Sequence, residues 1–107
     1  MIKEDVSLRG LSPQMALAHT IVLEMYRKHG LLDCCVITSG CDGKHSEGSR
    51  HYSGEALDYG VKYPNGIYLS CALAEKLAID ISAALKKDYD VILEYSKYHI
   101  HVEFDPK

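Results

Sequence analysis

The amino-acid sequence predicts an α+β fold, a small antiparallel sheet with two main helices packed against one side of it. Three observations carry this expectation. Two stretches, residues 13–29 and the segment following Ser70, repeat apolar residues at helical spacing. Short β-branched runs bounded by turn signals lie between and after them. The chain of 107 residues is enough for one domain of about two layers, so residues 1–107 are expected to fold as a single unit.

Each element has a local cause. Ser12-Pro13 starts a helix, with a hydroxyl N-cap followed by proline at the first helical position. Met15, Ala18, Val22 and Met25 then recur on one face, and Leu17 and Ile21 are expected to widen it. Lys28 and His29 suit the negative end of the helix dipole, and Gly30 is the stop. Cys35-Val36-Ile37-Thr38 reads as a short buried strand. From Ser39 to Gly54 the chain is polar and glycine-rich, which marks a surface excursion or a site rather than core. Glu55 to Tyr63 regains strand character, and Pro64-Asn65-Gly66 turns the chain into Ile67-Tyr68-Leu69. Ser70 caps the second helix, whose face is Leu73, Leu77, Ile81 and Leu85, flanked by Ala74, Ala78 and Ala84. Val91-Ile92-Leu93 and Ile100 to Phe104 close the chain as two strands around a Tyr95–Tyr98 hairpin.

Composition excludes several classes of function. The balance of 47% hydrophobic and 25% charged residues is that of a globular protein, not a disordered chain. A net charge of -3 offers no broad basic surface, so no nucleic-acid partner is expected. No apolar run approaches the ~20 residues that span a bilayer. Met1-Ile2-Lys3-Glu4-Asp5 lacks the basic-then-apolar pattern of a secretory signal. Synthesis in the cytoplasm and reduced thiols are therefore expected for Cys34, Cys35, Cys41 and Cys71, as small buried or half-buried groups.

Histidines carry the chemistry. His19 and His29 fall in the first helix and look incidental, whereas His45, His51, His99 and His101 lie in two short segments. On a strand, His99, His101 and Glu103 share one face while Ile100, Val102 and Phe104 share the other. A plain solvated strand face has the same appearance, so this pattern alone decides nothing. The second segment adds His51 and Asp58, with Asp58 and Ala56 on one strand face and room for a cavity above Ala56. His51, Asp58 and one of the two late histidines make two nitrogens and one oxygen, a zinc set with an open fourth position.

These segments have a likeness. Ser49-x-His51-x-x-Gly54-x-Ala56-x-Asp58, followed by His99-x-His101, resembles the M15 family of D-alanyl-D-alanine peptidases, as does Ile37-Thr38-Ser39-Gly40 upstream. His45-Ser46-Glu47-x-Ser49-x-His51-Tyr52-x-Gly54-x-Ala56-x-Asp58 and Ser96-Lys97-x-His99-Ile100-His101 resemble the zinc-bearing region of the Hedgehog signalling domain, which shares the peptidase fold. The resemblance covers residues 11–106. It implies one Zn2+ held by His51, Asp58 and His101, and it is the resemblance that selects His101 over His99. It implies that His99 stands by the site as a hydrogen-bond donor to an oxyanion, that Ser49 holds substrate, and that His45 lies beside the metal.

Members of the family place an acidic residue a few positions before the last histidine. Glu94 is the candidate general base on that ground, and Glu103 is its rival because it shares the face of His101. The family's arginine after the Ser-Gly turn is replaced by Cys41-Asp42-Gly43-Lys44, leaving Lys44 or Arg50 to meet a substrate carboxylate. The resemblance thus implies a zinc metallopeptidase that hydrolyses an amide of peptidoglycan stem peptides, of D-Ala-D-Ala or L-Ala-D-Glu type, like phage or prophage enzymes. The expected partner is a stem peptide or another small D-amino-acid peptide, with no membrane, and the chain is expected to be monomeric. Release to the wall would depend on lysis machinery or on packaging in a virion. The alternative is a non-catalytic zinc-binding module of the Hedgehog kind.

Overall fold

The computed structural model describes residues 1–41, 50–51 and 53–106. Helix α1 runs Pro13–Lys28, started by Ser12, whose Oγ accepts the Met15 N–H at 3.2 Å. Its buried stripe is Met15, Ala18, Val22 and Tyr26. Leu17 does not widen that stripe: it is 63% exposed. At about 100° per residue, two steps from Met15 carry it to the opposite side of the helix. After a short 3-10 turn at Leu32–Cys34 the chain enters strand β1, Ile37–Ser39, which starts two residues later and ends one residue later than its composition suggests. Strand β2 is Ala56–Gly60, and it ends before Tyr63 because the chain turns back, with Lys62 bridging Tyr68 across the Pro64-Asn65-Gly66 turn. Helix α2 follows at Cys71–Leu85, capped by Ser70 Oγ on the Leu73 N–H. Strands β3, Tyr89–Glu94, and β4, His99–Phe104, form the closing hairpin.

All neighbouring strands are antiparallel, in the order β1-β2-β4-β3. Alternation sends Leu57, Tyr59, Ile100 and Val102 into the core, with Met15, Val22, Leu77 and Ile81 of the helices packed in the same cluster. Polar groups inside it are paired: Tyr26 donates its O–H to the Gly60 carbonyl at 2.7 Å. The histidines of α1 are structural ties rather than incidental residues. His19 Nδ1 meets the Tyr59 hydroxyl at 2.8 Å, and His29 Nε2 meets Asp80 on α2 at 2.8 Å. Cys34 and Cys35 are buried, Cys41 is half-buried and Cys71 is exposed, and all four are free thiols. Burial pushes the Cys35 thiol up to about 12, which makes it unreactive. Among the described residues no helix is long and apolar enough to cross a membrane.

Gly54 fixes how the chain enters β2. It adopts φ +74, and a Cβ there would stand 2.0 Å from the Gly10 carbonyl oxygen. The Gly54 carbonyl also receives the Ser12 N–H at 2.9 Å, joining the entrance of β2 to the start of α1. Gly54→Ala is therefore expected to cost about 2 kcal/mol or more, from backbone strain and displacement together. A melting curve checks it, and an unchanged midpoint would mean that the Gly10 turn yields freely.

Candidate metal centre and its cleft

The sheet register builds the site. In the β2–β4 pairing Ala56 lies opposite Glu103, Asp58 opposite His101 and Gly60 opposite His99. In the β3–β4 pairing Ile92 lies opposite His101 and Glu94 opposite His99. Directly opposed residues share a face, so Asp58, Glu94, His99, His101 and Glu103 all stand on the side away from the helices. His51 reaches them from the turn before β2. That turn is closed by the Glu55 N–H on the Arg50 carbonyl at 2.8 Å and the Gly54 N–H on the His51 carbonyl at 3.2 Å.

Asp58 is the hub. His101 Nδ1 meets its Oδ1 at 2.8 Å, His51 Nε2 lies 3.3 Å from its Oδ2, and His99 Nε2 lies 3.6 Å from Oδ1. The His51 and His101 rings meet edge to face, 5.2 Å between centres. Asp58 and His51 are only 5% and 3% exposed, so this is a desolvated cluster, not a surface charge pair. Donor atoms of His51, Asp58 and His101 all lie within 4.8 Å of one another, as do those of Asp58, Glu94 and His99.

The first of these sets fits a zinc ion. His51 Nδ1 donates to the Gly40 carbonyl at 2.8 Å, which turns Nε2 toward Asp58 Oδ2, 3.3 Å away. His101 Nε2 donates to Glu103 at 2.8 Å, which leaves Nδ1 facing Asp58. Each imidazole thus has its outer nitrogen held by an oxygen acceptor, the support that ligating histidines commonly have. Gly40 can approach this closely only as glycine, because a Cβ there would stand 2.4 Å from the Ser7 carbonyl oxygen. Glu103, the rival base, is committed to His101. Glu94 is bound to His99 instead, its Oε1 2.6 Å from Nε2, and is 42% exposed.

Electrostatics agree with this geometry. Burial alone would raise the Asp58 carboxyl, but hydrogen bonds from His101 and His51 hold it well below the ordinary carboxylate range. Burial alone would lower the His101 imidazole, yet Asp58 and Glu103 raise it from 6.5 to about 9. In the metal-free chain, the Asp58 contribution to stability is present above 3.8 and lost as pH falls. The His101 contribution is present below 6.5 and lost as pH rises toward about 9. Denaturant titrations of chelator-treated protein are expected to show stability falling between pH 6.5 and 9. His101→Gln is expected to remove that fall, and a flat wild-type profile would contradict the pairing.

A cavity of about 320 Å³ opens beside Asp58 and His99. It lies above Gly60, whose missing side chain leaves the space beside His99, and not above Ala56, which is fully buried opposite Glu103. Arg50 does not join the cleft: Glu55 at 3.3 Å and Asp105 at 3.0 Å hold its guanidinium. Ser49, His45 and Lys44 lie outside the described residues. The motif Ile37-Thr38-Ser39-Gly40 included both residues but gave neither a role: the Gly40 carbonyl, a backbone acceptor without a side-chain signature, holds His51, and Thr38 lines the cavity. Comparison of the chain with protein-family models, with curated proteins and with solved structures finds no match.

Proposed function

We propose that this chain is a zinc-dependent peptidase acting on an amide bond of peptidoglycan stem peptides, of D-Ala-D-Ala or L-Ala-D-Glu type. The observation that carries the proposal is the meeting of two donor groups on the sheet face away from the helices. In the set His51, Asp58 and His101 both imidazoles are oriented, His99 stands beside it lining a cavity, and Glu94 is bound to His99. His51, Asp58 and His101 would hold the zinc ion, which would polarise the substrate carbonyl and make a water acidic enough to attack near neutral pH. Glu94 takes the proton of the attacking water and returns it to the leaving amine, a task suited to a carboxylate that is reachable yet held in place. His99 orients Glu94 through the 2.6 Å contact, and its part in meeting the charge on the carbonyl oxygen is what the sequence resemblance implies. The choice of substrate rests on the sequence resemblance.

The test is hydrolysis of a stem pentapeptide by the zinc-loaded chain, with a chelator control and product masses as the readout. Chelator-sensitive release of D-Ala, or cleavage after L-Ala, is the expected result and names the bond. A non-catalytic zinc-binding module is the second reading. It is favoured by the way Asp58 is shared among His51, His99 and His101, which closes the polar network on itself. No cleavage with one zinc retained per chain would select it.

A further inference from the structure

The second donor set can do more than supply a base and its support. Asp58, Glu94 and His99 each present a ligand atom, and these atoms lie within 4.8 Å of one another. Asp58 belongs to the first set as well, so the two sets meet at one carboxylate. Its two oxygens face different partners. Oδ2 has His51 Nε2 at 3.3 Å, whereas Oδ1 has His101 Nδ1 at 2.8 Å and His99 Nε2 at 3.6 Å. An ionised carboxylate can serve on both oxygens at once.

The register explains why the sets are adjacent yet separate. His99 and His101 stand two residues apart on β4, with Asp58 opposite His101 and Glu94 opposite His99. Gly60, opposite His99 on β2, has no side chain to cover the place. Both Asp58 and His99 line the cavity of about 320 Å³, which leaves room for an ion with water on its remaining positions. His99 Nε2 and Glu94 Oε1 are 2.6 Å apart and share one hydrogen. A cation can take the place of that hydrogen, drawing on the same two atoms. The partly exposed Glu94 side chain is free to adjust around it.

From this arrangement we infer that Asp58, Glu94 and His99 form a second, weaker site for a divalent transition-metal ion, zinc above all, with Asp58 shared between two ions. One imidazole and two carboxylates suit zinc, whereas calcium and magnesium favour sites made of oxygen alone. The order of filling follows from charge and ligand type. The first set brings two imidazoles with their outer nitrogens held, and the second brings one. Two divalent ions on a shared carboxylate also repel each other, which weakens the later one by roughly 10³-fold. The inference rests on the peptidase reading and adds its regulation. Glu94 cannot ligate an ion and accept a proton at once, and His99 bound to that ion no longer orients Glu94. Zinc therefore activates the chain at the first site and silences it at the second.

The test titrates zinc into the chelator-treated chain, followed by calorimetry and by native mass spectrometry to count bound ions. Two events are expected, the second roughly 10³-fold weaker than the first. Calcium added to the one-zinc chain should produce no second event. His99→Gln should lose the second ion and keep the first, and Glu94→Gln, altered at a partly exposed position, should give the same split. Glu103→Gln should do the reverse, weakening the first ion about 10–100-fold and leaving the second. Two cobalt(II) ions bound in place of zinc should couple magnetically through Asp58. A single ion per wild-type chain at saturating zinc, a second event that survives both His99→Gln and Glu94→Gln, or uncoupled cobalt spins would overturn the site. Stem-peptide hydrolysis in the same titration is expected to rise to one equivalent and to fall as the second event proceeds. Hydrolysis with only one ion ever bound would leave the peptidase reading standing and overturn the second site. Two ions without hydrolysis at any zinc level would uphold the second site and overturn the peptidase reading.

Discussion

Asp58→Ala is expected to abolish zinc binding and to lower the melting temperature of the metal-free chain as well. The two effects have one origin, since a single buried carboxylate lies within 3.6 Å of nitrogens on three histidines. Removing an outer-shell partner of a metal ligand typically costs about 10–100-fold in affinity. Glu103→Gln, which touches only the outer nitrogen of His101, is expected to fall in that range. Loss of a ligand itself must exceed it, so Asp58→Ala should retain no zinc at micromolar metal. In the metal-free chain the variant leaves His51 and His101 without their shared acceptor. The cost is set at about 1–3 kcal/mol, that of buried polar groups left without their partner. For a chain of this size that is a drop of roughly 5–15 °C. Metal content and a thermal scan check the two parts separately. Full zinc in Asp58→Ala would remove this residue from the ligand set.

Glu94→Gln should behave in the opposite way, keeping zinc and fold while losing about 10²–10⁴-fold in kcat. The substitution is nearly isosteric, and its side chain is 42% exposed, so stability has little at stake. The change removes the group able to accept a proton while keeping a partner for His99 Nε2. Glu103 is poorly placed to take over, because its carboxylate accepts from His101 at 2.8 Å and a proton there would weaken the hold on a ligand. Unaltered kcat with wild-type zinc content would move proton transfer to another group. A loss of zinc would show that Glu94 belongs to the metal shell through the Asp58, Glu94 and His99 set.

How much of this was legible in the sequence depends on how local each cause is. Ser12-Pro13 and Ser70 announced both helices because a cap acts within three residues. Strand alternation put His99, His101 and Glu103 on one face, and the register bears this out. It also left Glu94 ambiguous, since counting along the chain fails across a hairpin; only the pairing of Glu94 with His99 resolves its side. Leu17 was misplaced because it is apolar, although its angular position sets it against solvent. His19 and His29 looked idle because their partners lie 40 and 51 positions away. The cavity had no motif of its own for the same reason: Lys3, Thr38, Lys62 and Lys97 come together from four distant parts of the chain.

That sheet order also bears on when the site comes into being. Asp58 and His101 are 43 positions apart, and all of α2 and β3 lie between them. The β3–β4 hairpin can close locally, but the two central strands meet only after a long loop has lost its freedom. Non-local pairings of this kind form late and slow the folding of small domains. The ligand set therefore does not exist in early, partly ordered chains, and an ion has nothing to nucleate. Its grip would be felt on the way out, in the rate of opening, so that captured metal lengthens the lifetime of the folded state and leaves the folding rate as it was.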